Sequence, residues 1–167
     1  MGEKFKPKFS FEIENSKGFF EKLEQEYADF DKEHLNPRHA INCAINSWHL
    51  TDWTFQEFFK NDSRFKDSKI GGKTKSGLAK YQDALKEFCH ELEYMRIIAN
   101  GIKHCKIKAK DKTAIASGDF APYDYNRHDF LVPKFIIIME NGEEIDFEKA
   151  LLKTIDFWKE FLKNRKI

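Results

Sequence analysis

The residues best suited to chemistry lie between positions 96 and 104, where Arg96, Asn100 and His104 recur at every fourth position. On a helix with 100° per residue, they and Lys103 fall within about 100° of one another. Arginine binds phosphate bidentately, and histidine, with a pKa of about 6.5, exchanges protons near neutral pH. The pattern therefore predicts a catalytic group of Arg96, Asn100 and His104 that performs acid/base work beside a phosphate. Because Arg96 and His104 lie about 12 Å apart along the axis, they suit one extended phosphodiester and not a single phosphate oxygen.

A second polar stripe falls in residues 39–51, which contain no Asp, Glu, Lys or Arg in a chain that is 34% charged. Solvated helix faces usually carry Lys and Glu, so we expect this stripe to face protein or a ligand. Its best partner is the Arg96–His104 stripe on a second helix. The predicted binding residues of the region are His39, Asn42, Asn46, His49, Asp52 and Trp53. The alternative is a structural network, since buried Asn and His need hydrogen-bond partners that a second polar helix would provide.

Basic residues follow the Arg96–His104 stripe directly. Residues 103–112 hold five lysines against one acid, and residues 60–112 hold fourteen bases against seven acids. Attraction of phosphate is the general consequence of such a patch, so Lys103, Lys106 and Lys108 are predicted to bind RNA or a nucleotide. The other interpretation is that loops and solvated helix faces collect lysine without any partner.

The elements that must position these residues are mostly helical. Ser16 is a good N-cap for a first helix that runs to about residue 34. Asn36-Pro37 predicts the start of a second helix, which extends to about residue 60 and carries the charge-free stretch. Helical periodicity resumes near Ser76, with Leu78, Tyr81, Leu85 and Phe88 on one apolar face, and continues past a break near Cys89-His90 to residue 104. Two exposed loops are predicted, at about residues 61–76 and 106–131.

The period changes near the C-terminus. Residues 132–140 are β-branched and aromatic, and Asn141-Gly142 predicts a tight turn, so a β-hairpin is expected at about residues 132–146. Asp146 is the expected cap of a final helix with a stripe at Phe147, Leu151, Ile155, Trp158 and Leu162. The fold class predicted for residues 1–167 is therefore a single, mainly α domain, a helical bundle with one β-hairpin before its last helix.

Several classes of protein are excluded or disfavoured by composition. No apolar run approaches the roughly 20 residues that span a bilayer, and the start lacks the apolar core of a secretory signal, so we expect no membrane association. The three cysteines suggest reduced thiols and a cytoplasmic protein. No CxxC, HExxH, P-loop or dinucleotide motif is present, so neither a metal nor a cofactor is expected.

Two motifs resemble known proteins. Trp48-His49-x-x-Asp52-Trp53 followed by Arg96-x-x-Ala99-Asn100-x-x-Lys103-His104 resembles a family of small bacterial helical proteins that has no established activity. More remotely, a bundle with Arg and His on one helix is similar to the HEPN superfamily, whose members often dimerise and cut RNA without a metal. That resemblance implies that Arg96 stabilises the phosphate, that His104 is the acid/base and that Asn100 assists. The spacing is longer than in the superfamily's own motif, since seven residues separate Arg96 from His104.

The function predicted from these features is an HEPN-like domain that binds RNA or a nucleotide, forms a homodimer and, in its enzymatic version, is a metal-independent endoribonuclease. Two other functions remain open. One is a non-enzymatic interaction module in which the Asn and His stripes only fix helix register. The other is a small-molecule pocket lined by Trp48, Trp53 and Ile97.

Overall fold

The computed structural model of the protein describes residues 11–103, 112–116 and 133–165. Its helices are α1 (Ser16–Lys32), α2 (Pro37–Thr54), α3 (Gly77–Phe88), α4 (Glu91–Lys103) and α5 (Phe147–Lys163). Its strands are β1 (Ser68–Ile70), β2 (Lys73–Lys75), β3 (Lys112–Ala116), β4 (Lys134–Ile138) and β5 (Glu144–Asp146). The predicted fold class is confirmed, because the chain is mainly α with a small antiparallel sheet before its C-terminal helix. No helix within the described ranges has the length and apolar character needed to cross a bilayer.

Side-chain caps begin two helices where the sequence predicts them. The Asn36 side chain accepts a hydrogen bond from the Arg38 N–H at 3.1 Å, and Pro37 occupies the first turn of α2. The Asp146 carboxylate accepts from the Lys149 N–H at 3.1 Å at the start of α5. Each cap satisfies an N–H group that has no partner within its own helix.

The cap of α1 differs from the prediction by one residue. Asn15, and not Ser16, is the capping residue, and its side chain accepts from the Gly18 N–H at 2.8 Å. Ser16 is the first helical residue and is fully buried. Its backbone N–H donates to the Glu57 carboxylate at 2.7 Å, so a residue after α2 also helps to fix this end of α1.

Helix α2 is the central element of the bundle, because α1, α3, α4 and α5 all contact it. A π-helical turn, Phe55–Phe59, continues it to residue 59, close to the predicted end. Burial on several sides explains the lack of charge in residues 39–51, since an unpaired buried charge is strongly destabilising. Its buried residues are His39, Ala40, Cys43, Ala44, Asn46, Ser47, Trp48, Leu50, Thr51 and Thr54.

Trp158 anchors α5 to α2 in the core. The side chain is completely buried, and its indole N–H donates to the Ser47 carbonyl at 3.1 Å. The Ser47 hydroxyl in turn donates to the Thr154 hydroxyl at 2.9 Å. These bonds join two helices at fixed register, and the predicted apolar stripe of α5 is buried throughout.

The predicted hairpin is confirmed and belongs to a three-stranded sheet with the order β3-β4-β5. β4 and β5 are antiparallel, with Ile137 opposite Ile145, and Gly142 in the turn has a φ of 84°. The left-handed region suits glycine, which explains the Asn-Gly pair at this turn.

The third strand corrects the predicted loop at residues 106–131. Residues Lys112–Ala116 form β3 and pair antiparallel with β4, with Ala114 opposite Ile136. β3 has only five residues and charged neighbours, so its own sequence does not strongly favour a strand. Its conformation depends on pairing with β4, some twenty residues later in the chain. The predicted loop at residues 61–76 also contains a small hairpin, β1–β2, whose tip is Gly71 and Gly72 with φ of 57° and 78°.

Helices α3 and α4 meet at the predicted break, Cys89-His90. Tyr81 and Leu85 of α3 are buried as expected, but Phe88 is 79% exposed, so its predicted place on the buried face is wrong. The reason is local: α3 ends at Phe88, and the turn at Cys89 and His90 redirects the chain.

Candidate functional site

The stripe of α4 begins with Arg96, which Glu93 holds from one turn earlier. Arg96 Nε donates to Glu93 Oε2 at 2.8 Å, and Nη2 donates to the other carboxylate oxygen. Lys86 of α3 contacts the same carboxylate at 3.2 Å and Asp83 at 3.0 Å. Burial opposes ionisation of Glu93, but the hydrogen bonds from Arg96 and Lys86 prevail and lower its pKa. The half-buried guanidinium is thus oriented by an ionised carboxylate.

Asp52 marks the place where the end of α2 faces α3 and α4. Gln82 Nε2 of α3 donates to Asp52 Oδ1 at 3.2 Å and to the Thr51 hydroxyl at 2.9 Å. Burial raises the pKa of Asp52, while its electrostatic interactions with His49 and Lys103 act in the opposite direction. A carboxylate from α2 therefore lies within electrostatic reach of the last residue of α4.

These contacts form one surface across three helices. Gln82 and Lys86 lie one helical turn apart on α3 and connect the Asp52 side to the Glu93–Arg96 pair. We call this surface the polar face and define it by His49, Asp52, Gln82, Lys86, Glu93, Arg96, Asn100 and Lys103. His49 and Lys103 are exposed and Asn100 is half-buried, so the polar face is open to solvent.

The predicted catalytic group is only partly within the described residues. Arg96 and Asn100 lie one turn apart on α4, with Lys103 at its end. His104, Lys106 and Lys108 lie outside the described part of the chain.

The first half of the α2 stripe faces α1 and is closed. His39 and Asn46 are 7% and 4% exposed. Asn42 donates to Glu26 of α1 at 2.9 Å, and His39 Nε2 lies 3.6 Å from the Glu33 carboxylate that follows α1. The predicted stripe is therefore divided, with a buried half that ties α1 to α2 and an open half at His49 and Asp52.

The aromatic residues of α2 do not form the third predicted site. Trp53 stacks on Phe19 of α1 at 4.8 Å between ring centroids, and Trp48 is buried in the core. Ile97 lies elsewhere, in the wall of an apolar cavity of about 360 Å³. The described residues that line the cavity are Pro37, Ala40, Ile41, Ile97, Ile98, Gly101, Ile102, Thr113, Phe135, Ile136, Ile137 and Phe147.

Three members of the polar face were missed by sequence reasoning: Gln82, Lys86 and Glu93. Each had a local signal, since Gln82 and Lys86 are spaced i,i+4 and Glu93 and Arg96 are spaced i,i+3 on their helices. The orientation of α3 could not be predicted from the sequence. It brings Gln82 against Asp52 of α2 and Lys86 against Glu93 of α4.

Asp52 gives a prediction about stability. A carboxyl whose pKa is raised on folding binds more protons in the native state, so stability falls as pH rises through the interval between the unfolded and folded pKa values. We expect Asp52→Asn to raise the melting temperature modestly at pH 7, because the charge is removed and the amide oxygen still accepts from Gln82.

Thermal unfolding from pH 3 to pH 8 measures the effect, with Glu24→Gln on the exposed side of α1 as the control. The two curves of Asp52→Asn and the parent should converge below about pH 4, the ordinary pKa of aspartate. A loss of stability at pH 7 would show that the Asp52 charge is favourable where it lies.

The described cysteines lack the properties of nucleophiles. Burial raises the pKa of Cys43 to about 12 and that of Cys89 to about 11. Both are free thiols in buried positions. Within residues 11–103, 112–116 and 133–165, no cluster of three or more His, Cys, Asp or Glu side chains is arranged to hold a metal ion.

Comparison with known proteins leaves the chain without an assigned family. Neither a protein-family model, nor a curated protein, nor a solved structure matches it.

Proposed function

We propose that the polar face binds the phosphates of RNA or of a nucleotide, and that the protein is an HEPN-like domain of this kind. The observation that carries the proposal is the meeting of α2, α3 and α4 at Asp52, with His49 and Lys103 exposed beside it. An open face that keeps an energetically costly carboxylate is typical of a functional site.

Each residue of α4 has a role in this proposal. Arg96 binds a phosphate, with Glu93 fixing the direction of its guanidinium. Lys103 adds charge at the open end of the helix, and Lys106 and Lys108 follow it in the sequence as further candidate phosphate ligands. In the enzymatic version His104 is the acid/base and Asn100 assists, and the chemistry needs no metal. The proposal also includes a homodimer in the cytoplasm.

Binding is tested with a fluorescently labelled single-stranded RNA and the variant Arg96→Ala. We expect about a tenfold weaker affinity, as for the loss of a charged hydrogen bond to phosphate. Lys163→Ala is the matched control, since Lys163 forms a similar i,i+3 ion pair with Glu160 on the solvent-exposed side of α5. Affinity should also fall with salt. Equal losses in both variants, or binding that does not change with salt, would count against the polar face.

Cleavage is a separate question. Incubation of mixed single-stranded RNA with the protein in EDTA should give products that His104→Ala abolishes. RNA that binds but stays whole would retain the binding function and reject the nuclease.

A second candidate function, the non-enzymatic interaction module, is favoured by the closed half of α2. Asn42 ties α1 to α2 through its hydrogen bond to Glu26, and His39 lies 3.6 Å from Glu33, so this half of the stripe contacts α1 without a ligand. For that function alone, Arg96→Ala and Asn46→Ala would each destabilise the fold by a few kcal/mol, and RNA affinity would not depend on Arg96.

A further inference from the structure

A groove of about 910 Å³ runs between α3 and α5, on a surface that the polar face does not use. Its floor includes Phe59 and Tyr81, whose ring centroids are 4.7 Å apart. On α3, Leu85 lines the groove and Lys86 belongs to the polar face. These two positions lie about 100° apart around the helix axis, so the two surfaces are separate. The groove is lined by Phe59, Arg64, Phe65, Tyr81, Ala84, Leu85, Phe88, Cys89, Glu91, Lys153, Asp156, Phe157, Glu160, Phe161, Asn164 and Arg165.

Phe88 is a protruding aromatic side chain at the edge of this groove. It is 79% exposed, although it ends the apolar side of α3. The half-buried rings of Phe65, Phe157 and Phe161 continue the apolar surface from it across the groove. Single exposed apolar residues are common, but a ring that is continuous with an aromatic groove is typical of an interaction surface.

The two ends of the groove carry different charges. At one end, Arg165 lies over the rings of Phe59 and Phe161 at 4.4 and 4.2 Å. Arg64 pairs there with Asp62 and Glu160 pairs with Lys163, so Arg165 leaves this end with a net positive charge. At the other end are Asp156 and the ion pair of Lys153 with Glu91, with a net negative charge. Lys153 and the end of α5 at Lys163 lie about 15 Å apart along the helix axis, and Arg165 follows two residues later.

We propose that the occupant of the groove is a second copy of this chain, docked about a two-fold axis. A two-fold contact uses the same patch on both copies, so that patch must match itself. On this chain the exposed Phe88 ring lies beside the groove, and the acidic and basic residues lie at opposite ends of the same groove. Antiparallel docking places each Phe88 in the partner copy's groove and brings Asp156 towards the basic end of the other copy.

This interface does not depend on RNA binding. The HEPN resemblance would join two copies at Arg96 and His104, whereas docking at the α3–α5 groove leaves the polar face of each copy open. The two surfaces can be tested separately, because Phe88 and Asp156 lie outside the polar face.

The test is sedimentation equilibrium over a wide range of protein concentration. We expect a dimer that Phe88→Ser and Asp156→Lys each weaken by at least about tenfold. The matched controls are Phe11→Ser, at a side chain that is 90% exposed, and Glu24→Lys on α1. Circular dichroism checks that each variant keeps its helices, which we expect because Phe88 is largely exposed.

Two results would overturn the proposal. A parent protein that stays monomeric leaves the groove to some other partner. A dimer that survives Phe88→Ser and is lost in Arg96→Ala has its interface at the polar face. A parent protein that forms the dimer but binds no RNA would reject the proposed function and leave this inference standing.

Discussion

Gly77→Ala is expected to lower the free energy of unfolding by about 3 kcal/mol or more. A Cβ atom at this position would lie 1.8 Å from the Phe65 carbonyl oxygen. The obstacle is backbone and cannot rotate away. Phe65 is also held by contacts of its ring with Phe59 and Tyr81, at 5.6 and 5.3 Å between centroids. Relief of the clash would also disturb the bond from the Gly77 N–H to Asp67 Oδ1, which is 2.7 Å long.

Gly101→Ala is the matched control for this substitution. Gly101 lies near the end of α4, and no described atom comes within 4 Å of an added Cβ. Alanine is the better helix former by about 1 kcal/mol, so the control should be neutral or more stable. Chemical denaturation of the two variants measures both effects. Similar losses in both would mean that the approach of Gly77 to Phe65 is not the cause.

Trp158→Ala is expected to lower the free energy of unfolding by about 3–5 kcal/mol. The ring is completely buried between α2 and α5, and its removal leaves a cavity lined by Phe157 and Phe161 among others. It also removes the donor to the Ser47 carbonyl. Since small domains are stable by only about 5–15 kcal/mol, the variant should be near the limit of folding.

Two further substitutions test the cause of that loss. Trp158→Phe keeps one aromatic ring in the core but removes the N–H donor and part of the packing, so its effect should be smaller than that of Trp158→Ala. Trp53→Ala removes a half-buried ring that stacks on Phe19, and we expect a loss of about 1–2 kcal/mol. If Trp53→Ala cost as much as Trp158→Ala, the α2–α5 contact would not be the centre of the core.

Local signals account for the parts of the fold that could be predicted. Asn36-Pro37 and Asp146 begin helices because their side chains cap free N–H groups, and Asn141-Gly142 turns because glycine tolerates positive φ. β3 was missed because its strand state depends on pairing with β4, which is distant in sequence. Phe88 was misplaced because periodicity cannot show that the helix ends at that residue.

The site was predictable only to the level of its helices. The spacing of Arg96, Asn100 and Lys103 places them on one side of α4, and the lack of charge in residues 39–51 indicates burial or a ligand. Sequence could not separate His39, which faces α1, from His49, which faces solvent, since both lie on one arc of α2. That difference depends on how α1 packs, because α1 reaches from Glu33 beside His39 to Phe19 on Trp53 and still leaves His49 uncovered.

The central claim is that the polar face binds phosphate-bearing ligands, and NMR amide shifts on addition of single-stranded RNA test it most directly. We predict shifts that saturate at His49, Asp52, Asn100 and Lys103, with Lys159 and Lys163 on the solvent-exposed side of α5 as unaffected references. Shifts confined to α5, or an unchanged spectrum in low salt with excess RNA, would contradict the claim.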